Sequence, residues 1–250
     1  MGPPPIIFLH GLFGSKKNNR GISKALARDL STPVYALDLR NHGESPHNPR
    51  HDYASMAEDV AGFIQDQGLR DVTVIGHSMG AKTAMMLALS RPEMVANLVS
   101  VDNAPVSATL NRDFAKYIKG MEKVQAANVT RQAEADEIMR EFEPFLLGNL
   151  FRPSGAKTQR FRLPLDILDA ALPDLGGFPT TNAEKNYFHK PALFIRGSKS
   201  EYVPDKVLPA INTMFPRYQL ATIEAGHWLI SEQPEAFRTV VVDFLGDVRA

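Results

Sequence analysis

The segment Val72-Thr73-Val74-Ile75-Gly76-His77-Ser78-Met79-Gly80, continuing as Ala81-Lys82-Thr83-Ala84-Met85-Met86-Leu87-Ala88-Leu89, constrains the fold of this chain more than any other stretch. An apolar run of strand length leads through Gly-x-Ser-x-Gly into a helical run of small and apolar residues. The two glycines permit a tight, strained turn. Such a turn lifts the Ser78 hydroxyl above a sheet and brings backbone amides and a helix N-terminus beside it. Chance produces the bare pattern often, so its weight comes from the buried strand and the small-residue helix on either side.

The rest of the chain supplies the sheet. Residues 6–9, 34–37, 72–75 and 95–101 read as buried strands. Between the second and third, Ala57, Val60, Ala61 and Ile64 recur at i, i+3, i+4 and i+7, one face of a helix packed on that sheet. The alternation predicts an α/β fold, a mostly parallel sheet with helices on both faces. The pattern breaks after Val101 and resumes with strands at 192–195 and 219–223 and a helix over 235–245. We therefore divide the chain into a core of residues 1–106 and 189–250 and an inserted helical cap, or lid, of residues 107–188 over the sheet's carboxyl edge. In the insertion, Phe114, Tyr117, Ile118 and Met121 mark one helical face and Ile138, Met139 and Phe142 another, with no convincing strand. Leu163, Leu165, Leu168 and Leu172 beside Pro164 and Pro173 predict short, interrupted helices. Phe142, Phe145, Leu146, Leu147, Leu150 and Phe151 exceed what a solvated loop carries, so this segment is expected to roof a pocket for an apolar, acyl-bearing substrate.

Composition excludes several classes of partner. With 28 Lys+Arg against 28 Asp+Glu the net charge is +0, so no global field draws the chain to nucleic acid. No run of eighteen apolar residues occurs, and no stable membrane insertion is expected. Cysteine is absent, which removes disulfides and thiolate nucleophiles and leaves covalent catalysis to another side chain. No histidine pair or acidic cluster marks a metal site, and no Gly-x-Gly-x-x-Gly or Walker loop is present, so neither a metal nor a cofactor is expected.

A serine nucleophile requires a base. His227, in Ile223-Glu224-Ala225-Gly226-His227-Trp228, follows the last strand and fits that role. A tetrahedral intermediate requires oxyanion donors. Met79 supplies one amide, and the loop His10-Gly11-Leu12-Phe13-Gly14-Ser15 supplies the other, from Leu12 or alternatively Phe13. Of the other histidines, His42 is expected to brace its loop and His77 to pack inside the turn.

Taken together, these motifs resemble the α/β-hydrolase superfamily over nearly the whole chain. His10-Gly11, Asp38-Leu39-Arg40-Asn41-His42-Gly43-Glu44-Ser45, Gly76-His77-Ser78-Met79-Gly80 and Gly226-His227-Trp228 occur in that family's order. Within it, the His10 to Ser15 loop, the elbow with Ala81-Lys82-Thr83-Ala84, and Val101-Asp102-Asn103-Ala104-Pro105-Val106 look like one branch. That branch holds small bacterial esterases, abhydrolase-domain-11-type mitochondrial hydrolases and yeast ethanol acetyltransferases. Many relatives have one or two strands before the His-Gly loop, so an upstream segment is expected. The loop after 192–195, where many relatives have their acid, reads Arg196-Gly197-Ser198-Lys199-Ser200-Glu201 with no Asp. The resemblance assigns the acid to Asp102, in its Asp-x-x-Pro setting, with Glu201 in reserve and Asp166, Asp169 and Asp174 behind it. It also implies a mitochondrial location, the alternative being cytoplasmic.

The function expected is that of a serine esterase or thioesterase, cleaving acyl esters or thioesters through an acyl-enzyme on a Ser78-Asp102-His227 triad. An alcohol acyltransferase using the same triad is the near alternative. A non-catalytic interaction protein with a hydrolase fold is an alternative of another class.

Overall fold

The computed structural model describes residues 3–108, 113–179 and 187–248. Six strands, β1 (Ile6–Leu9), β2 (Val34–Leu37), β3 (Val72–His77), β4 (Val95–Val101), β7 (Ala192–Gly197) and β8 (Tyr218–Ile223), form one sheet in the order β2-β1-β3-β4-β7-β8, parallel throughout. Strands buried on both faces need apolar residues on both, which is why they read as unbroken apolar runs. Ile7 and Leu9 of β1 point into one layer, Ile6 and Phe8 into the other; in β7, Phe194 opposes Leu193 and Ile195 in the same way.

Helices α2 (Tyr53–Asp66) and α3 (Met79–Ser90) cover the first layer. Helices α1 (Arg20–Leu30) and α9 (Pro234–Asp247) cover the second through Ile22, Leu26, Phe237 and Val241. Ala57, Val60, Ala61 and Ile64 are all buried on the inner side of α2. From β1 the chain steps outward to β2, then crosses back to β3 and proceeds the other way. The carboxyl ends of β1 and β3 therefore flank the switch point of the sheet, where loops diverge and leave a crevice.

Between β4 and β7 lie α4 (Asp113–Ala126), α5 (Gln132–Ile138), a 3-10 turn (Pro144–Asn149), β5 (Leu150–Phe151), β6 (Arg160–Phe161) and α6 (Leu165–Gly176). Helices α7 (Leu208–Met214) and α8 (Leu229–Glu232) complete the core. Residues 109–112 and 180–186 of the expected cap lie outside the described residues. Three expectations for the insertion need correction. It does contain strands: β5 and β6 pair antiparallel, Leu150 opposite Phe161, but two-residue strands are too short to leave an alternating pattern. The leucine-proline stretch forms one helix: Pro164 precedes its first residue, and Pro173 is accommodated within its last turn without breaking it. Met139 and Phe142 lie beyond the end of α5 and pack against Gly120 of α4.

The start of the insertion and the end of α6 meet at a neck. Ala108 N–H donates to Gly176 O at 2.9 Å and Phe178 N–H to Ser107 Oγ at 3.2 Å. From the core, Tyr53 Oη donates to Leu175 O at 2.7 Å, and Lys82 Nζ to Gly176 O at 3.1 Å and Gly177 O at 2.8 Å. Lys82 thus places a buried ammonium at the negative end of α6. Among the described residues no carboxylate pairs with it, and burial lowers its pKa to about 8.

Candidate active site

Ser78 sits between the end of β3 and the start of α3 with φ 54° and ψ −113°, a conformation that L-residues rarely adopt. Its neighbours make room for it. A Cβ on Gly76 would lie 2.1 Å from Gly80 O, and one on Gly80 would lie 2.5 Å from Leu9 O, so only glycine allows the turn and the close pass over β1.

The parallel register then distributes the polar groups along the rim. Ser78 N–H donates to Val101 O at 2.9 Å, tying the elbow to β4. The next residue, Asp102, turns with φ 52° and donates its N–H to Ile195 O of β7 at 2.8 Å. Ser198 N–H reaches Ile223 O of β8 at 2.8 Å, and His227 follows β8 through Gly226. Each strand end is stitched to the next, and three side chains 149 residues apart at the extremes converge.

Asp102 is fully buried, and its Oδ2 accepts from His227 Nδ1–H at 2.6 Å. Because a carboxylate only accepts, this bond fixes the proton on Nδ1 and leaves Nε2 bare. Ser78 Oγ lies 2.9 Å from Nε2, in position to donate to it. Gly197 N–H donates to Asp102 Oδ1 at 3.1 Å, and Ser200 Oγ–H donates to Oδ2. The ring of Tyr202 stacks on His227 with centroids 4.1 Å apart and planes at 21°. Behind it, His77 Nε2–H donates to His227 O at 2.8 Å, and burial holds the His77 imidazole down to a pKa of about 4, with His227 adding to the effect. Sequence reasoning did not find Ser200, Tyr202 or the tie from His77. A serine or tyrosine in a loop carries no signal of what it will face.

On the other side, Gly14 N–H closes a turn onto Gly11 O at 2.9 Å, and His10 Nδ1–H donates to the same oxygen at 2.8 Å. Gly11 borders Ser78: a Cβ there would stand 3.3 Å from the serine Cβ. His42 Nε2 accepts the Phe13 N–H at 3.0 Å, so that amide is occupied. Among the described residues the N–H groups of Leu12 and Met79 have no hydrogen-bond partner. His10 and His42 are buried and neutral, their pKa values lowered by desolvation, that of His42 well below the ordinary value.

Glu201 is exposed and, among the described residues, makes no hydrogen bond to His227; Asp166, Asp169 and Asp174 lie on the exposed side of α6. Two cavities border the site. One, of about 710 Å³, is bordered by Gly11, Leu12, His77, Phe145 of the insertion and Trp228, whose rings lie 4.6 Å apart. The other, of about 630 Å³, includes Val106, Tyr202 and His227. Among the described residues no group of three His, Asp or Glu side chains is placed to hold a metal ion, and no helix is long and apolar enough to cross a membrane.

Comparison with known proteins identifies the family of the fold. A profile described as alpha/beta hydrolase fold matches residues 4–234. A probable alcohol acetyltransferase of Saccharomyces cerevisiae is 39% identical over 97% of this chain and 77% of its own length. The sn-1-specific diacylglycerol lipase ABHD11 of Mus musculus is 37% identical over 97% of this chain and 81% of its own. A marine microorganism esterase of known structure superposes with a TM-score of 0.86 at 33% identity, covering 98% of this chain and 96% of that one.

Proposed function

Because this chain belongs to the alpha/beta hydrolase fold family, with serine hydrolase or acyltransferase chemistry supported by its relatives, we propose that Ser78, His227 and Asp102 are its catalytic triad, acting on carboxylic esters or thioesters. The observation that carries this reading is the unbroken relay of 2.6 Å from Asp102 to His227 and 2.9 Å from His227 to Ser78.

In the proposed mechanism, His227 Nε2 takes the Ser78 proton as Oγ attacks the acyl carbonyl, and buried Asp102 stabilises the imidazolium through Nδ1–H. The carbonyl oxygen becomes an oxyanion held by the N–H groups of Leu12 and Met79, both otherwise unpartnered. Its collapse expels the alcohol or thiol, which receives the proton from His227, and leaves Ser78 acylated. Water, deprotonated by His227, then attacks the acyl-enzyme, releases the carboxylic acid and restores Ser78. In the same reading residues 107–188 act as a cap, with Phe145 closing one flank over an apolar acyl chain. The family resemblance also favours a mitochondrial location.

A panel of p-nitrophenyl esters and acyl thioesters of increasing chain length, run with the intact protein and with Ser78→Ala, tests this. Turnover that depends on Ser78 is expected; a protein inert toward every ester and toward a fluorophosphonate probe would overturn it. A second reading, alcohol acyl transfer, has the 39% identity to the acetyltransferase behind it. In that case the acyl-enzyme passes to an alcohol, and ethyl ester would form when ethanol is added. The two outcomes differ only in whether the pocket holds an alcohol in preference to water.

A further inference from the structure

Phe13 is the third residue of the turn that Gly14 N–H closes onto Gly11 O, and its φ is 60°. A positive φ at that position ordinarily calls for glycine, and a bulky side chain there is strained by about 1–3 kcal/mol. Something must hold it. Its N–H is held by His42, a core residue. Its carbonyl is held by the insertion: Asn149 Nδ2 donates to Phe13 O at 2.7 Å. Its ring, fully buried, packs against Phe114 and Tyr117 of α4, with centroids 6.1 and 6.5 Å away.

Asn149 is itself held firmly. It is buried at the end of the 3-10 turn, its second amide hydrogen goes to Leu146 O at 3.2 Å, and its own carbonyl accepts from Arg162 N–H at 2.9 Å. The peptide preceding Leu12 is planar, so the direction of the Leu12 N–H follows the direction of the Gly11 carbonyl. That carbonyl closes the same turn in which Phe13 is strained.

We propose that Asn149 is a positioning residue for the oxyanion hole, holding Phe13 in its left-handed conformation so that the Leu12 N–H is aimed at the developing charge. This rests on the triad reading above. It makes the insertion part of the electrophilic machinery as well as a cover over the acyl group, since turnover requires it docked on the Phe13 carbonyl.

The test is Asn149→Leu, which keeps the branched heavy-atom shape and removes the donor. Loss of an oxyanion donor lowers kcat by ~10²–10³, so misaiming one should lower it by roughly 10- to 100-fold. KM for a short p-nitrophenyl ester should stay unchanged, as should the acid limb of the pH profile. Inhibition by a trifluoromethyl ketone, whose adduct on Ser78 carries the oxyanion, should weaken by the same factor as kcat/KM. A substitution that merely loosened the cover would raise KM and leave kcat intact. That result, or an unchanged kcat in a folded variant, overturns the proposal. Should Asn149→Leu fail to fold, Asn149→Ser, whose hydroxyl is too short to reach Phe13 O, should give the same division between kcat and KM. Turnover surviving in Ser78→Ala would overturn the triad and this inference with it; a dead Ser78→Ala beside an unimpaired Asn149→Leu overturns the inference alone.

Discussion

The rim of the sheet and the segment inserted above it are held by different kinds of bond. At the rim, Ser78 and Asp102 are fixed through their own backbone N–H groups, each donating to the last residues of the next strand. The insertion is tied to the core largely by side chains: Lys82 and Tyr53 at the neck, Asn149 on Phe13, and His47, whose Nε2–H donates to Arg162 O at 2.8 Å. Backbone bonds survive almost any substitution, whereas a side-chain bond is lost with one. The proposed triad therefore hangs on backbone bonds, whereas the proposed cover, with the support it lends Phe13, hangs on bonds that single changes remove.

The sharpest break in that contrast comes from the side chains that the rim carries. Ser78→Ala should lower kcat by ~10⁴–10⁶ with the circular dichroism spectrum unchanged, since the backbone stitching remains. Asp102→Asn should cost up to about 10⁴, because an amide facing His227 favours the wrong tautomer, while Glu201→Gln should do little. Loss of folding in Asp102→Asn would mean that the carboxylate holds the rim together, contrary to the contrast drawn.

Acid distinguishes the two regions next. Residues 107–188 contain no histidine, whereas the core buries His10, His42, His51 and His77 in forms that resist protonation. For His51, burial lowers the pKa from 6.5 to about 4. As pH falls below 6.5 the unfolded chain takes up a proton before the folded one, so stability present above 6.5 is lost progressively down to about 4. A shift of this size corresponds to roughly 3 kcal/mol at full development. Urea melts from pH 7 to pH 4 should show this loss, reduced in His51→Gln; a pH-independent midpoint would refute it.

The neck supplies a smaller effect. Lys82→Met leaves Gly177 O without its donor and Gly176 O with only the Ala108 N–H, at a cost of about 1–2 kcal/mol, partly offset by removal of a buried charge. Limited proteolysis should then cut first near Gly176, and cleavage starting elsewhere would count against the neck as the hinge. Smallest is Phe145→Ala, which opens the wall against Trp228 and should raise KM for long-chain esters by about tenfold while sparing acetate esters. A uniform change across chain lengths would remove Phe145 from the acyl path.

Where residues pair with their own strand neighbours, the sequence was legible. The strands at Ile6–Leu9, Val34–Leu37 and Val95–Val101 coincide with their apolar runs to the residue. β3 and β7 run two residues further, to His77 and Gly197, because pairing with Val101 and Ile223 extends them past the end of their apolar content. Ser78 and His227 stood out through the glycines and strand ends beside them, and Asp102 through its place at a strand end and the family resemblance of its Asp-x-x-Pro setting. Lys82 and Asn149 did not, since their partners lie 94 and 136 residues away and a lone polar side chain in a helical pattern reads as a solvated one.

The neck also bears on how such molecules diversify. Because Ala108, after β4, and Gly176, at the end of α6, are joined by one 2.9 Å hydrogen bond, a replacement for the residues between them can be spliced in at adjacent points. If residues 107–188 set the acyl preference as proposed, recombination at that junction would exchange one preference for another, and the graft would need its own donor to the Phe13 carbonyl. A foreign segment that closes well over the crevice but lacks that single amide would bind its new ester and turn it over slowly, so lineages exchanging this cassette should carry the junction and the amide together.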